Sequence, residues 1–157
     1  MGRHEFEEML NQQNIKVSVD DSKRRHDQWL EAVTQFYTMI TPWLKGFVEK
    51  KQLKYEMHKI SLIEDWAGSY DIDEMRLWFG SYAVRIHPVG SEILGASGRI
   101  DMEGARGVVK FILEEKGVLE NAPNSAWKII LSQSDGFASA NLNEDSFFDA
   151  LMEIVSV

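Results

Sequence analysis

Apolar positions along this chain follow three regimes. Between residues 29 and 47 they step by threes and fours through Leu30, Val33, Tyr37, Ile40, Leu44 and Phe47, with Trp29, Phe36 and Trp43 beside them. That spacing predicts a helix with a wide apolar stripe, and a stripe so aromatic implies burial against something large. Asp21 or Ser22 is placed to cap its start. Pro42 predicts a kink or a restart, since proline inside a helix removes a hydrogen bond and clashes with the preceding turn. The helical segment then ends near Gln52. Upstream, Phe6, Met9 and Leu10 mark a short helix over 5–13, and Ile15, Val17 and Val19 read as a short strand or an extended linker.

Past Gln52 the period falls to two. Residues 54–63 carry Tyr55 and Met57, then Ile60 and Leu62, a change of phase that predicts a β-bulge near His58 and Lys59. The run 64–73, EDWAGSYDID, reads as a loop pinned by Trp66 and Tyr70. Gly80 and Ser81 suit a type II′ hairpin turn. That turn sets Phe79 against Tyr82, Leu77 against Val84 and Met75 against Ile86 on an apolar face. On the opposite face Trp78 meets Ala83, Arg76 meets Arg85 and Glu74 meets His87. Pro88 and Gly90 end that strand.

A second hairpin is predicted from 99–103 and 107–114 around Gly104 and Ala105. Its second strand has five apolar residues in the six from Val108 to Leu113, which predicts a central strand covered on both faces. Residues 116–125 are a connection, and 127–131 form the last strand. Asp135 and Gly136 mark a turn. Asn141 or Asn143 caps a third regime, a terminal helix with Phe147, Phe148, Leu151, Ile154 and Val155 on one stripe. The expected architecture is a single α+β domain over 1–157. It has a mostly antiparallel sheet of about five strands, covered on one face by the 21–52 helical segment and the C-terminal helix. Residues 1–20 are a loosely attached N-terminal segment.

Composition narrows the chemistry. With no cysteine among 157 residues, disulfides, thiolate metal sites and cysteine nucleophiles are excluded. The four histidines, His4, His26, His58 and His87, show no spacing that puts two ligands on one face, so neither a metal nor a cofactor is expected. The start, MGRHEFEEML, lacks the apolar core of a signal peptide, and no stretch reaches the roughly 20 apolar residues of a membrane span, so a cytoplasmic protein without membrane contact is expected. A formal net charge of −8, from 17 basic and 25 acidic side chains, disfavours nucleic acid and favours a basic protein partner. Homodimerisation through a sheet edge or the aromatic surplus is a further expectation.

The glycine-rich stretch 95–107, GASGRIDMEGARG, invites a phosphate-loop reading. It matches neither the Walker spacing nor the dinucleotide fingerprint, and it leads into strand where those motifs need a helix, so hairpin turns explain it better. Arg99 and Asp101, two apart on a strand, are expected to pair. Arg76 and Arg85, directly opposite in a hairpin, need a compensating partner, either a carboxylate such as Glu74 or Asp101 or an anionic ligand. Two functional readings follow. The first is a non-enzymatic interaction protein, an adaptor, inhibitor or immunity-type protein, that masks a basic partner. The alternative is a small-ligand binder or enzyme with an anion-accepting pocket on the polar face of the central hairpin. The candidate surface comprises Arg76, Trp78, Arg85, His87, Arg99 and Asp101, and no catalytic residue is assigned.

Overall fold

A computed structural model describes residues 2–64, 67–91, 98–114, 127–133 and 136–155, with 12–22, 131–133 and 136–138 as backbone only. The class is α+β. Helix α1 (Gly2–Glu49) is followed by β1 (Lys54–Glu64), β2 (Gly68–Phe79), β3 (Tyr82–Gly90), β4 (Gly98–Gly104), β5 (Gly107–Leu113), β6 (Trp127–Gln133) and β7 (Gly136–Asn141), and then by α2 (Glu144–Val155). The seven strands of the described residues form one antiparallel sheet in sequence order, against about five expected. One added strand is 136–141, whose small residues carry little strand signal, and β2 extends back through 68–73, a run read as loop.

Helix α1 has 48 residues, a length of about 72 Å at 1.5 Å per residue. It is one element, so three expectations are corrected. Residues 15–19 are helical, because β-branched residues lose at most about 0.7 kcal/mol each in a helix, too little to stop propagation from both sides. Asp21 and Ser22 lie inside the helix and not at its start. Pro42 also lies inside it; Pro42 and Thr38, whose carbonyl would have received the missing bond, both face solvent, where water can satisfy it. The buried stripe runs through Trp29, Ala32, Val33, Phe36, Tyr37, Ile40 and Leu44, while Phe47 is exposed. Phe36 sits at its centre, with ring centroids 5.0 Å from Phe111 and 5.1 Å from Trp127. Residues 2–11 are exposed throughout.

The helix ends in a Schellman motif: Gln52 N–H donates to the Phe47 carbonyl at 2.9 Å, and Lys51 N–H to that of Val48 at 3.0 Å. Lys51 occupies the left-handed position with φ 60°. Glycine is the usual residue there, and a side chain in that conformation costs about 1–2 kcal/mol. Helix α2 is better capped. Asn143 Oδ1 accepts from Ser146 N–H at 2.9 Å, and Ser146 Oγ accepts from Asn143 N–H at 2.9 Å. Its far end holds the β4–β5 turn, where Arg106 N–H donates to the Ile154 carbonyl at 2.8 Å. Since Gly104 pairs with Gly107, that turn is at Ala105 and Arg106, one residue beyond the expected position.

The central hairpin has the expected register, from Phe79↔Tyr82 to Met75↔Ile86, including Arg76↔Arg85. Gly80 has φ 59° and Ser81 is not left-handed, which fits a type II′ turn. Beyond Met75 the two strands part, so Glu74 and His87 are not a ladder pair. At this point β2 buries two consecutive residues, Glu74 and Met75, and the buried side changes from Leu77 and Met75 to Ile72. The same crossing explains the phase change in β1. Its register with β2 is unbroken from Lys54↔Trp78 to Glu64↔Gly68, so twisting of the diverging hairpin, and no bulge, brings Ile60 and Leu62 against the core.

Tyr37 fills the fork. Its hydroxyl donates to the Asp73 carbonyl at 2.7 Å, with the Ile86 carbonyl 3.5 Å away. Burial first, then Asp73 and Glu74, push its pKa upward. A bulge does occur in β3, between Pro88 and Gly90, so that strand continues through its proline where the β2 side has no further partner. Strand β5 is central but covered on one face only: Val109, Phe111 and Leu113 are buried while Val108 and Lys110 are exposed. The opposite side of β2–β5 is open, and the candidate site lies there.

Candidate functional site

The alternation that buries Leu77, Val84 and Met102 under α1 puts their neighbours on the open side. Register aligns Glu56, Arg76, Arg85 and Glu103 in one row across β1–β4. Two opposed guanidinium groups repel each other unless something lies between them. Glu74 does: Arg76 Nε donates to its Oε1 and Arg85 Nε to its Oε2, both at 2.7 Å. The Glu74 side chain is 1% exposed, whereas those of Arg76 and Arg85 are 46% and 48% exposed. The acid is therefore the buried member and the bases are the surface. Among the described residues neither arginine makes another hydrogen bond, and each side chain is about half exposed, which leaves the Nη donors without a partner there.

The two arginines, Trp78, Ala83 and Glu103 line a shallow depression of about 290 Å³. Lys54 stands 5.7 Å from the Trp78 ring centroid and 3.2 Å from Glu56. One strand further, Arg99 grips Asp101 through Nε at 2.7 Å and Nη2 at 2.8 Å. The expected pair is present, and here too the acid is buried. His87 is half-buried opposite Asp101, and its Nδ1 has no hydrogen-bond partner among the described residues. All six residues of the expected surface thus lie on β2–β4. Arg76, Arg85 and Trp78 meet in one depression, while Arg99 and Asp101 form a separate pair.

Two titrations follow from this packing. Burial pushes Glu74 up, but the hydrogen bonds from Arg85 and Arg76 outweigh it and hold the carboxyl below its ordinary 4.5. Burial and then Arg85 push His87 below its ordinary 6.5, against the opposing pull of Asp101, Glu103 and Glu74. In both cases the unfolded chain takes up the proton first. The stability each group contributes is therefore complete above its ordinary value and is lost as pH falls through the folded value. Melting temperature should decline from pH 6.5 downward, and a His87→Asn variant should lose that first decline. Glu74→Gln should cost about 1–2 kcal/mol near neutrality, discounted because both arginines are half-exposed. Its deficit should shrink below pH 4.5; a deficit independent of pH in urea melts would refute the assignment.

A second polar cluster escaped the sequence reading. Glu64 is buried at the end of β1, where its Oε2 accepts from Tyr70 hydroxyl at 2.6 Å and its Oε1 from Ser91 N–H at 2.6 Å. Trp29 Nε1–H donates to the Tyr70 oxygen at 3.0 Å, and His26 meets the Tyr70 ring edge-on at 4.5 Å. The cluster fastens the diverging hairpin to α1 and β3, so Tyr70 does pin this region; Trp66, its expected companion, lies outside the described residues. The available signal was spacing, since Glu64 continues the Ile60, Leu62 alternation onto the buried side.

Of the glycine-rich stretch, 95–97 lie outside the described residues, and 98–107 form a hairpin, as expected. Among the described residues no group of three or more His, Asp or Glu side chains could hold a metal ion, and no helix is long and apolar enough to cross a membrane. The molecule is defined by a seven-stranded antiparallel meander with one helix-covered face and one charged open face. Comparison of the chain with protein-family models, curated proteins and solved structures gives no match.

Proposed function

We propose that this is a binding protein that takes an anionic group on the open face of its sheet, between Arg76, Arg85 and Trp78. The observation that carries this reading is the anchoring of two arginines through Nε to one buried carboxylate, with their Nη donors unpartnered among the described residues. Each guanidinium is held in place before a ligand arrives, so little side-chain entropy is lost on binding. Trp78 offers a flat apolar wall beside them. Glu103 in the same lining favours a ligand whose anionic group sits next to a hydrogen-bond donor.

A thermal-shift screen of anionic metabolites tests this. A ligand at a hundred times its Kd should add about 2.7 kcal/mol, or roughly 5–10 °C for a chain of this size. The Arg76→Ala, Arg85→Ala double variant should show none of that shift. An equal shift in the double variant, or no shift across a broad library, would remove the proposal.

The reading in which a basic protein is the partner is favoured by one observation on α2. Asp145, Asp149 and Glu153 recur every fourth residue on its exposed side, and the helix contains no basic residue. Replacing all three by lysine separates the two readings: loss of capture of a basic partner in that variant, with the arginine pair dispensable, would place recognition on α2.

A further inference from the structure

We propose a second site, next to the arginine depression across Trp78, at the end of α1: a cleft that binds a small amphiphilic carboxylate, its head on Lys51 and its apolar body between the two helices. A cleft of about 630 Å³ opens where α1 turns into β1, with Lys51, Lys54, Tyr55 and Trp78 in its wall. Gln52, Leu53 and Phe79 also line a neighbouring apolar slot of about 340 Å³, walled by Phe47, Phe148 and Met152. Both volumes are within the range of small-molecule sites. No acidic residue lines either part, in a chain of formal net charge −8.

The two lysines differ. Lys54 already shares its charge with Glu56 and the Trp78 ring. Lys51 has no ion pair or hydrogen-bonded side-chain partner among the described residues. It also holds the left-handed position that glycine fills at less cost. The Schellman motif holds that strain in place, and a strained position is a reason to test the side chain for a use. One ammonium, unpaired among the described residues, in the wall of a cleft beside an apolar slot matches one negative charge on an apolar body, so charge complementarity selects the occupant. The simpler account is that Lys51 only offsets the negative end of the helix dipole. That account predicts no effect of Lys51 on any ligand.

Decanoate below its micelle concentration is a direct probe, titrated by calorimetry, with backbone amide shifts at Leu53 and Phe79 as a site-specific readout. Decanoate should bind at least tenfold more tightly than decanol. Lys51→Gly should raise the melting temperature of the free protein by about 2–4 °C and weaken decanoate at least tenfold. Met152→Asp, at a 56% exposed position, should block the slot without unfolding the protein. The proposal is overturned if decanoate does not bind, if decanol binds equally well, if binding appears only with phospholipid vesicles, or if Lys51→Gly leaves decanoate affinity unchanged. Because Arg76 and Arg85 are untouched, these outcomes are independent of the arginine site.

Discussion

Replacement of Phe36 by alanine should destabilise the fold by about 3–5 kcal/mol, the usual cost of removing a fully buried aromatic ring. That is a large share of the roughly 5–15 kcal/mol that holds a domain together. Phe36 is fully buried and meets Tyr37, Phe111 and Trp127 through its ring, at centroid distances of 5.7, 5.0 and 5.1 Å. These neighbours come from α1, β5 and β6, so the cavity would open at the junction of helix and sheet, where no single side chain can close it. Urea unfolding should show a lower midpoint with an unchanged slope. Phe47→Ala, on the same helix but 43% exposed and with its ring 5.5 Å from that of Phe148, should cost clearly less. Equal losses at the two positions would mean that the helix packs through a different stripe.

Gly98→Ala is expected to cost about 1–3 kcal/mol or more by overpacking. A Cβ at position 98 would overlap Cζ3 and Cε3 of Trp29, a 1% exposed indole pressed against the start of β4. The ring cannot retreat without giving up its hydrogen bond to Tyr70, and with it one tie on the Glu64 cluster. A smaller residue at 29 should therefore relieve the clash. In a double-mutant cycle, Trp29→Leu should cost clearly less in the Gly98→Ala background than in the parent, since contacting residues couple. A neutral Gly98→Ala, or additive losses, would mean that the indole does not occupy that space.

These two positions show what the sequence could and could not reveal. The helical stripe was legible, but its centre was not: Leu30 and Phe47 share the period with Phe36, and only the position of the sheet decides which flank is covered. Gly98 reads as one more glycine in GASG, because nothing local announces a tryptophan from a distant helix.

The central hairpin was legible in full from Gly80 to Met75, since alternation and turn chemistry agreed there. So was the need to compensate Arg76 and Arg85, although charges alone left Glu74, Asp101 and an anionic ligand as alternatives. The crossing of β2 from one buried side to the other was not, as it arises from strand divergence and twist, with Tyr37 inserted between. Helix α1 hid its continuity behind Ile15, Val17, Val19 and Pro42, whose local preferences are weaker than the cooperativity around them. The left-handed backbone of Lys51 could not be read from a lysine followed by glutamine.

The order of the sheet also bears on how the molecule forms. Strands pair with their neighbours in sequence, so most pairings close only a short loop, and loop-closure entropy grows slowly with length. Low contact order of this kind goes with fast folding. The most distant joins are those of α1 with the later strands, such as Phe36 on Trp127, and they complete the core only after the last hairpins exist. During synthesis the helix emerges first and must wait for its sheet. Its aromatic stripe is then the surface most exposed to misassociation, and rapid zipping of successive hairpins shortens that interval.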